Sequence, residues 1–239
     1  MTRALTRTNF HSSKLIRVLS DLAVADAVEP GTAFAEKLGL WLNLHDAINL
    51  CGALNESTAD QPSAKFVKKS VTSVAIGDEF ARVRTALVNS ITQSRPPDLG
   101  ADYEPYRRYY AAQQRAMDSS VRPLRASLRA VLAKASPALK QLADLDATFD
   151  ALLCERESKL LSTVPSLLKR RFEQLRQAHQ QMLVDTQQED DPALWMATGA
   201  WLARFCHELQ TALLAELDLR LQPAVGLIEA LNNEISKHK

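Results

Sequence analysis

The sequence is poor in glycine, and this scarcity narrows the fold class. Its 239 residues include only 7 Gly and 10 Pro, and aromatic residues make up 6% of the chain. Many-stranded sheets and phosphate-binding loops depend on glycine-rich turns, so both are disfavoured. The recurring Ala, Leu, Arg, Gln and Glu are good helix formers. We therefore predict an all-α protein.

Recognisable catalytic motifs are missing as well. The chain contains no Gly-x-x-x-x-Gly-Lys-Ser/Thr, Gly-x-Gly-x-x-Gly or Gly-x-Ser-x-Gly segment. His207 and Glu208 start like a zinc-protease helix, but the second histidine does not follow. Asp146 and Asp150 are four residues apart, and we interpret them as a solvated face of a helix. We predict that the protein is not an enzyme and uses no cofactor or metal.

Cysteines and long hydrophobic runs are also few. Cys51, Cys154 and Cys206 lie far apart in apolar helical patterns, so we expect reduced, buried thiols. No stretch approaches the ~18 apolar residues that a membrane-spanning helix needs. No apolar run of the kind found in secretory signals follows the basic N-terminal residues. We expect a cytoplasmic protein with no direct membrane insertion.

Apolar residues recur at helical spacing along most of the chain and predict about eight helices. We divide the chain into an N-terminal helical hairpin at residues 1–55, a linker at 56–77 that has room for a short strand or helix, and a main helical domain at 78–239. The expected architecture is a multi-helix bundle with a long antiparallel helical hairpin, either compact or elongated.

Prolines mark the expected helix boundaries in the main domain. Ser136-Pro137 and Asp191-Pro192 each place a capping residue before a proline, which is a helix start signal. Pro123 is expected to kink the fourth helix, because proline removes a backbone donor and crowds the preceding turn. Pro223 is expected to separate the last two helices.

Charge is distributed unevenly beneath a formal net charge of +1. Residues 60–142 hold 14 Lys and Arg against 7 Asp and Glu, whereas residues 143–239 hold 10 against 15. Such asymmetry indicates a basic surface that meets an anionic partner or the acidic third of the chain itself.

Arginines in the fourth helix carry much of this positive charge. Arg108, Arg115, Arg122 and Arg129 recur every seven residues, and Arg125 lies nearby. A helix turns ~100° per residue, so steps of seven drift by only ~20° and place the four along one side, ~10.5 Å apart. This spacing predicts a cationic ridge opposite an apolar face.

Three interpretations of the ridge stay open. It is solvated, or paired with acidic residues of the fifth helix, of which the candidates are Asp144, Asp146, Asp150, Glu155 and Glu157. Alternatively, it binds an acidic face of a partner protein. As a third possibility, it binds the nucleic-acid backbone, because arginine suits phosphate oxygens and non-specific binding needs no base-reading motif. The residues that would extend the surface are Lys65, Lys68, Lys69, Lys169, Arg170 and Arg171.

Four segments resemble the bacterial domain-of-unknown-function family numbered 3348. They are Arg7–Leu19, Phe34–Trp41, Ala135–Leu145 and Glu216–Gly226. The similarity spans nearly the whole chain, although Asn55–Gly77 is not typical of the family. The resemblance supplies no catalytic residues.

What the resemblance implies is an accessory cytoplasmic subunit of a type III Zorya anti-phage defence system. In such a system an ion-driven membrane motor works with small cytosolic proteins. We therefore expect a non-enzymatic helical protein whose partner is another cytosolic subunit of the same system, with double-stranded DNA as a further candidate ligand. The alternative is a stand-alone, non-specific nucleic-acid-binding protein that uses the arginine-rich helix face.

Overall fold

The computed structural model describes residues 14–22, 44–55, 67–93 and 100–237. These residues form seven α-helices and one short 3-10 helix, with no strand among them, so the all-α prediction is confirmed. The helices are α1 (Lys14–Leu22), α2 (Leu44–Asn55), α3 (Val67–Gln93), α4 (Glu104–Ala135), α5 (Pro137–Leu161), α6 (Val164–Thr186) and α7 (Trp201–Lys237).

The long antiparallel hairpin consists of α4 and α5, joined by Ser136 alone. Ser136 has extended backbone angles (φ −156°, ψ 161°), and its hydroxyl accepts a hydrogen bond from the Leu139 amide at 3.3 Å. Pro137 follows at the first helical position, where its missing amide hydrogen costs nothing. At the open end of the hairpin, the Gln114 side chain donates to the Leu161 carbonyl at 3.2 Å. The predicted start signal therefore determines where the chain reverses.

The C-terminal helix α7 lies at the centre of the bundle. It packs against α1, α3, α4, α5 and α6. Its buried side chains are mostly Leu and Ala, including the completely buried Ala212, Leu213 and Ala224. The small alanine side chains let neighbouring helices approach closely, which explains how one helix is covered on several sides.

An aromatic cluster lies in the core where α4, α6 and α7 meet. Phe172 lies 5.0 Å from Phe205, 5.3 Å from Trp201 and 5.5 Å from Tyr106, measured between ring centroids. The arrangements are tilted or edge-to-face, which are favourable geometries for aromatic pairs. Tyr103 belongs to the same cluster, and its hydroxyl donates to the Pro165 carbonyl at 2.6 Å.

Several predicted boundaries differ from the observed ones. Helix α7 continues through Pro223, so the two helices predicted there are one. Helix α4 contains Pro123 in its interior, as expected of a fourth helix that runs through this residue. Pro192 begins the 3-10 helix Pro192–Leu194 and not an α-helix. Helix α3 starts at Val67, so residues 67–77 of the predicted linker are helical. Residues 23–43 of the N-terminal hairpin and 56–66 of the linker lie outside the described residues.

The prediction that all three cysteines are buried is wrong. Cys51 is exposed, whereas Cys154 and Cys206 are half-buried, and none of the three forms a disulfide. Among the described residues, no helix has both the length and the apolar character needed to cross a membrane.

Candidate binding surface on α4

Three sides of α4 face three different neighbouring helices. Its buried face points towards α7 and carries residues such as Tyr110, Met117 and Leu124. One flank contacts α5, and the other contacts α3, where Ser90 donates to Gln113 at 3.2 Å. Within the described part of the chain, the side opposite α7 is open to solvent.

The open side of α4 carries an exposed stripe, which we define as Arg108, Ala112, Arg115, Ser119 and Arg122. The side chains of Arg108 and Arg122 are 73% and 63% exposed. Glu104 lies 3.3 Å from Arg108. The stripe therefore presents three guanidinium groups, ~10.5 Å apart along the helix, with only small side chains between them.

Carboxylates border the stripe at both ends. Glu104 accepts bidentate hydrogen bonds from Arg107 at 2.7 and 2.8 Å, and these bonds lower the pKa of Glu104 to about 2. At the other end, Asp118 lies 3.5 Å from Arg122. No carboxylate of the described residues forms an ion pair with Arg115 within 4.0 Å. The middle of the stripe is thus its most available positive charge.

Arg125 and Arg129 do not belong to this surface, which corrects the prediction that Arg129 continues the ridge of four arginines with Arg125 nearby. Arg125 donates to Asp146 at 2.6 and 2.8 Å and to Asp150 at 2.8 Å, and Arg129 lies 3.1 Å from both carboxylates. The two arginine side chains are only 14% and 20% exposed. Burial alone would lower the pKa of Arg125, but the bonds to Asp146 and the charge of Asp150 raise it.

The same contacts correct the interpretation of Asp146 and Asp150 as a solvated face. Their side chains are 12% and 31% exposed, because α5 turns both of them towards α4. The interpretation that pairs the arginine ridge with the fifth helix therefore applies to Arg125 and Arg129. It does not apply to the three arginines of the exposed stripe.

The basic run on α6 is divided between surface and interior. Arg171 is 9% exposed and binds Glu208 of α7 through bonds of 2.7 and 2.8 Å. Lys169 is exposed and lies 3.8 Å from Glu173, and Arg170 is exposed. Arg171 is therefore a structural residue, whereas Lys169 and Arg170 face solvent. Lys65 lies outside the described residues, and the side chains of Lys68 and Lys69 are not described.

A buried polar network that the sequence analysis missed joins α4 to α7. Its centre is Glu216, which is completely buried. Glu216 accepts hydrogen bonds from the Tyr110 hydroxyl at 2.7 Å, from the Gln114 amide at 3.1 Å and from Arg220 at 2.8–2.9 Å. Arg220 also donates to Asp118, which links the network to the end of the exposed stripe.

The network shifts the pKa of two of its side chains, Tyr110 and Arg220. Burial and the adjacent Glu216 charge raise the pKa of Tyr110, so its hydroxyl remains a donor. Burial would lower the pKa of Arg220, but Glu216 and Asp118 raise it. A signal was available in the sequence, because Tyr110, Gln114 and Asp118 recur every four residues on the flank of an apolar face. Nothing in that spacing identifies Glu216 as their partner.

A second polar contact fastens the segment between α6 and α7. Asp190 accepts a bond from the Trp195 indole at 2.7 Å and lies 3.0 Å from His179 Nε2, and both contacts lower the pKa of Asp190. Asp191 caps the 3-10 helix by accepting from the Ala193 amide at 2.9 Å. Asp191 is thus the capping residue that the sequence predicts before Pro192. Among the described residues, no three His, Cys, Asp or Glu side chains are grouped to hold a metal ion.

The fold and the exposed stripe define a helical-bundle protein with a cationic face on one long helix. The chain belongs to the family described as a protein of unknown function (DUF3348), whose sequence model matches residues 1–233. This match confirms the family resemblance seen in the sequence. Neither the curated proteins nor the solved structures include a match to the chain.

Proposed function

We propose that this protein is a non-enzymatic accessory subunit that binds another cytosolic subunit of a bacterial anti-phage defence system containing an ion-driven membrane motor. The defence context comes from the resemblance to the family and its association with Zorya-type systems. The binding role is supported by the exposed stripe on α4.

The stripe suits binding because its arginines are accessible while their helix is held firmly. Arg108 and Arg122 are more than 60% exposed, whereas Tyr110, Met117 and Leu124 beneath them are almost fully buried. A rigid helix that presents charged groups lowers the entropic cost of association. Exposed charges also steer a partner of opposite sign and fix its register.

Co-purification with the products of neighbouring genes tests this proposal. The chain is expected to elute with one of them in size-exclusion chromatography. The triple variant Arg108→Glu, Arg115→Glu, Arg122→Glu is expected to lose the complex, and Arg17→Glu, which changes an exposed arginine on α1, is the matched control. A chain that elutes alone with every neighbouring product would contradict the proposal.

Double-stranded DNA is the second candidate ligand, because arginines bind phosphates without reading bases. Three phosphate contacts give a slope of about −2.7 for log affinity against log salt concentration, whereas five would give about −4.5. Since Arg125 and Arg129 are paired with Asp146 and Asp150, we expect the lower slope if DNA binds at this surface. A duplex retained equally by the wild type and the triple variant would exclude the stripe as its site.

A further inference from the structure

We propose that the exposed stripe of α4 binds an α-helix whose carboxylates recur every seven residues. This inference rests on the proposed function and specifies the chemistry of the partner. The observations behind it are the period of the arginines, the size of the residues between them and the charges on either side.

The seven-residue period matches the geometry of two helices that pack side by side. Residues spaced by seven on one helix drift ~20° per step, and two helices crossing at ~20° compensate for this drift. Arg108, Arg115 and Arg122 therefore stay opposite a partner helix over their whole length. Carboxylates with the same period would meet each guanidinium in turn.

The small residues of the stripe permit a close approach. Ala112 and Ser119 are exposed and lie between successive arginines. The Ser119 hydroxyl bonds back to the Ala116 carbonyl at 3.0 Å, so it does not project as a competing donor. Helix axes that pack closely lie 8–10 Å apart, and bulky side chains at these positions would prevent this.

The bordering carboxylates favour a helix over a nucleic acid. Duplex DNA carries one negative charge per ~1.7 Å of its axis, so phosphates following the stripe would also meet Glu104 and Asp118. A helix with one carboxylate every seven residues places charge only opposite the arginines. The surface is positive at intervals and not throughout, which fits discrete carboxylates.

The chain itself contains an example of this mode of recognition. Arg125 and Arg129, four residues apart on α4, bind Asp146 and Asp150, four residues apart on the antiparallel α5. Matched spacing of arginine and carboxylate along adjacent helices therefore holds α5 in register. The exposed stripe repeats the arrangement with a longer period and without a partner helix of the described residues over it.

Binding of synthetic helical peptides to the full chain tests the inference. The probe is a fluorescent, alanine-based peptide of about 21 residues with three glutamates at seven-residue spacing, followed by anisotropy at low salt. The control peptide has the same composition with the glutamates moved to five-residue spacing, which distributes them around the helix. We expect the probe to bind at least about tenfold more tightly than the control peptide and to weaken with salt.

Charge exchange gives the decisive comparison. Arg115→Glu is expected to weaken probe binding at least about tenfold, and Arg115→Gln to weaken it less, because only the former adds repulsion. A probe with lysines in place of the glutamates is expected to bind the triple arginine-to-glutamate variant. Arg17→Glu, which changes an exposed arginine on α1, is expected to leave probe binding unchanged, and equal losses from Arg17→Glu and Arg115→Glu would overturn the inference.

Two further outcomes would also overturn it. One is equal affinity for the two glutamate spacings, and the other is binding of a duplex DNA at the stripe in preference to the probe. The inference can fail while the chain still co-purifies with a neighbouring gene product, in which case the partner uses another surface. Conversely, the stripe could bind the probe while no subunit co-purifies with the chain. That result would support the inference about the surface and contradict the proposed function.

Discussion

The carboxylate of Glu216 on α7 accepts a 2.7 Å hydrogen bond from the hydroxyl of Tyr110 on α4, and the Glu216 side chain is completely buried. Two further donors, Gln114 and Arg220, complete its coordination. A buried carboxylate is tolerated only when its charge is paired and its oxygens are hydrogen-bonded. Glu216 is therefore the centre of the polar contact between the central helix α7 and α4, the helix that carries the exposed stripe.

Replacing Glu216 by Ala is expected to destabilise the protein by about 3–5 kcal/mol, because Arg220 would lose its buried partner. Urea unfolding followed by circular dichroism measures the change. Glu216→Gln keeps the shape and some hydrogen bonds, so it is expected to cost less. Glu229→Gln, on the exposed side of the same helix, should shift the unfolding free energy by no more than about 0.5 kcal/mol. Similar losses at both positions would contradict the assigned role of Glu216.

The arginine ridge shows how far sequence spacing can predict a surface. Spacing by seven correctly placed Arg108, Arg115 and Arg122 on one exposed side. Over the three steps from Arg108 to Arg129 the drift accumulates to ~60°, which turns Arg129 towards α5. Periodicity describes one helix, whereas the position of the neighbouring helix depends on tertiary packing. The division of the ridge could therefore not be predicted from α4 alone.

Proline positions show the same limit. Pro137 follows a capping serine and begins a helix as predicted, but Pro223 lies inside α7. A proline within a helix loses one backbone hydrogen bond at a cost of ~3 kcal/mol. The burial of Leu221, Ala224 and Leu227 around it offsets that cost, because each packs into the core. The local sequence predicts the destabilising effect of the proline, but it does not predict the tertiary packing that outweighs this effect.

The pairing of Arg125 with Asp146 is expected to show a coupling free energy of about 1–3 kcal/mol. Both side chains are less than 15% exposed and share two hydrogen bonds, so their attraction is poorly screened. A double-mutant cycle with Arg125→Gln and Asp146→Asn measures this value. The exposed pair Arg108 and Glu104 supplies the control, and its coupling should be smaller and lost at high salt. Equal coupling in both cycles would contradict the proposed shielding.

Glu208 is expected to make stability fall at acidic pH. Burial works against its ionisation, but hydrogen bonds from Arg171 and Arg204 hold its pKa below the ordinary value of 4.5. Its stabilising contribution is therefore fully present above pH 4.5 and decreases as the pH falls through the lowered pKa. Urea unfolding of the wild type and Glu208→Gln across this range should give a stability difference that shrinks with acidification. A difference that is independent of pH would refute the ion-pair explanation.

Glu157 is expected to behave in the opposite way. Burial raises its pKa above the ordinary value of 4.5, although Arg220 and Arg125 partly counter this effect. The native state then favours the protonated carboxyl, so this contribution to stability is present below pH 4.5 and is lost as the pH rises through the raised pKa. Glu157→Gln should therefore be more stable than the wild type at neutral pH, with the advantage vanishing on acidification. A less stable variant at neutral pH would show that attraction to the arginines dominates.

The end of α6 offers a site for stabilisation. Gln187 terminates the helix in the left-handed region (φ 52°), where its side chain strains the backbone. Gln187→Gly is expected to raise the unfolding free energy by about 0.5–1 kcal/mol, because relief of this strain exceeds the entropy that glycine adds to the unfolded chain. Gln188→Gly is the matched control. Gln188 does not have a positive φ, so glycine relieves no strain there and should lower stability. If thermal unfolding shows the same change for both variants, the left-handed cap is not the cause.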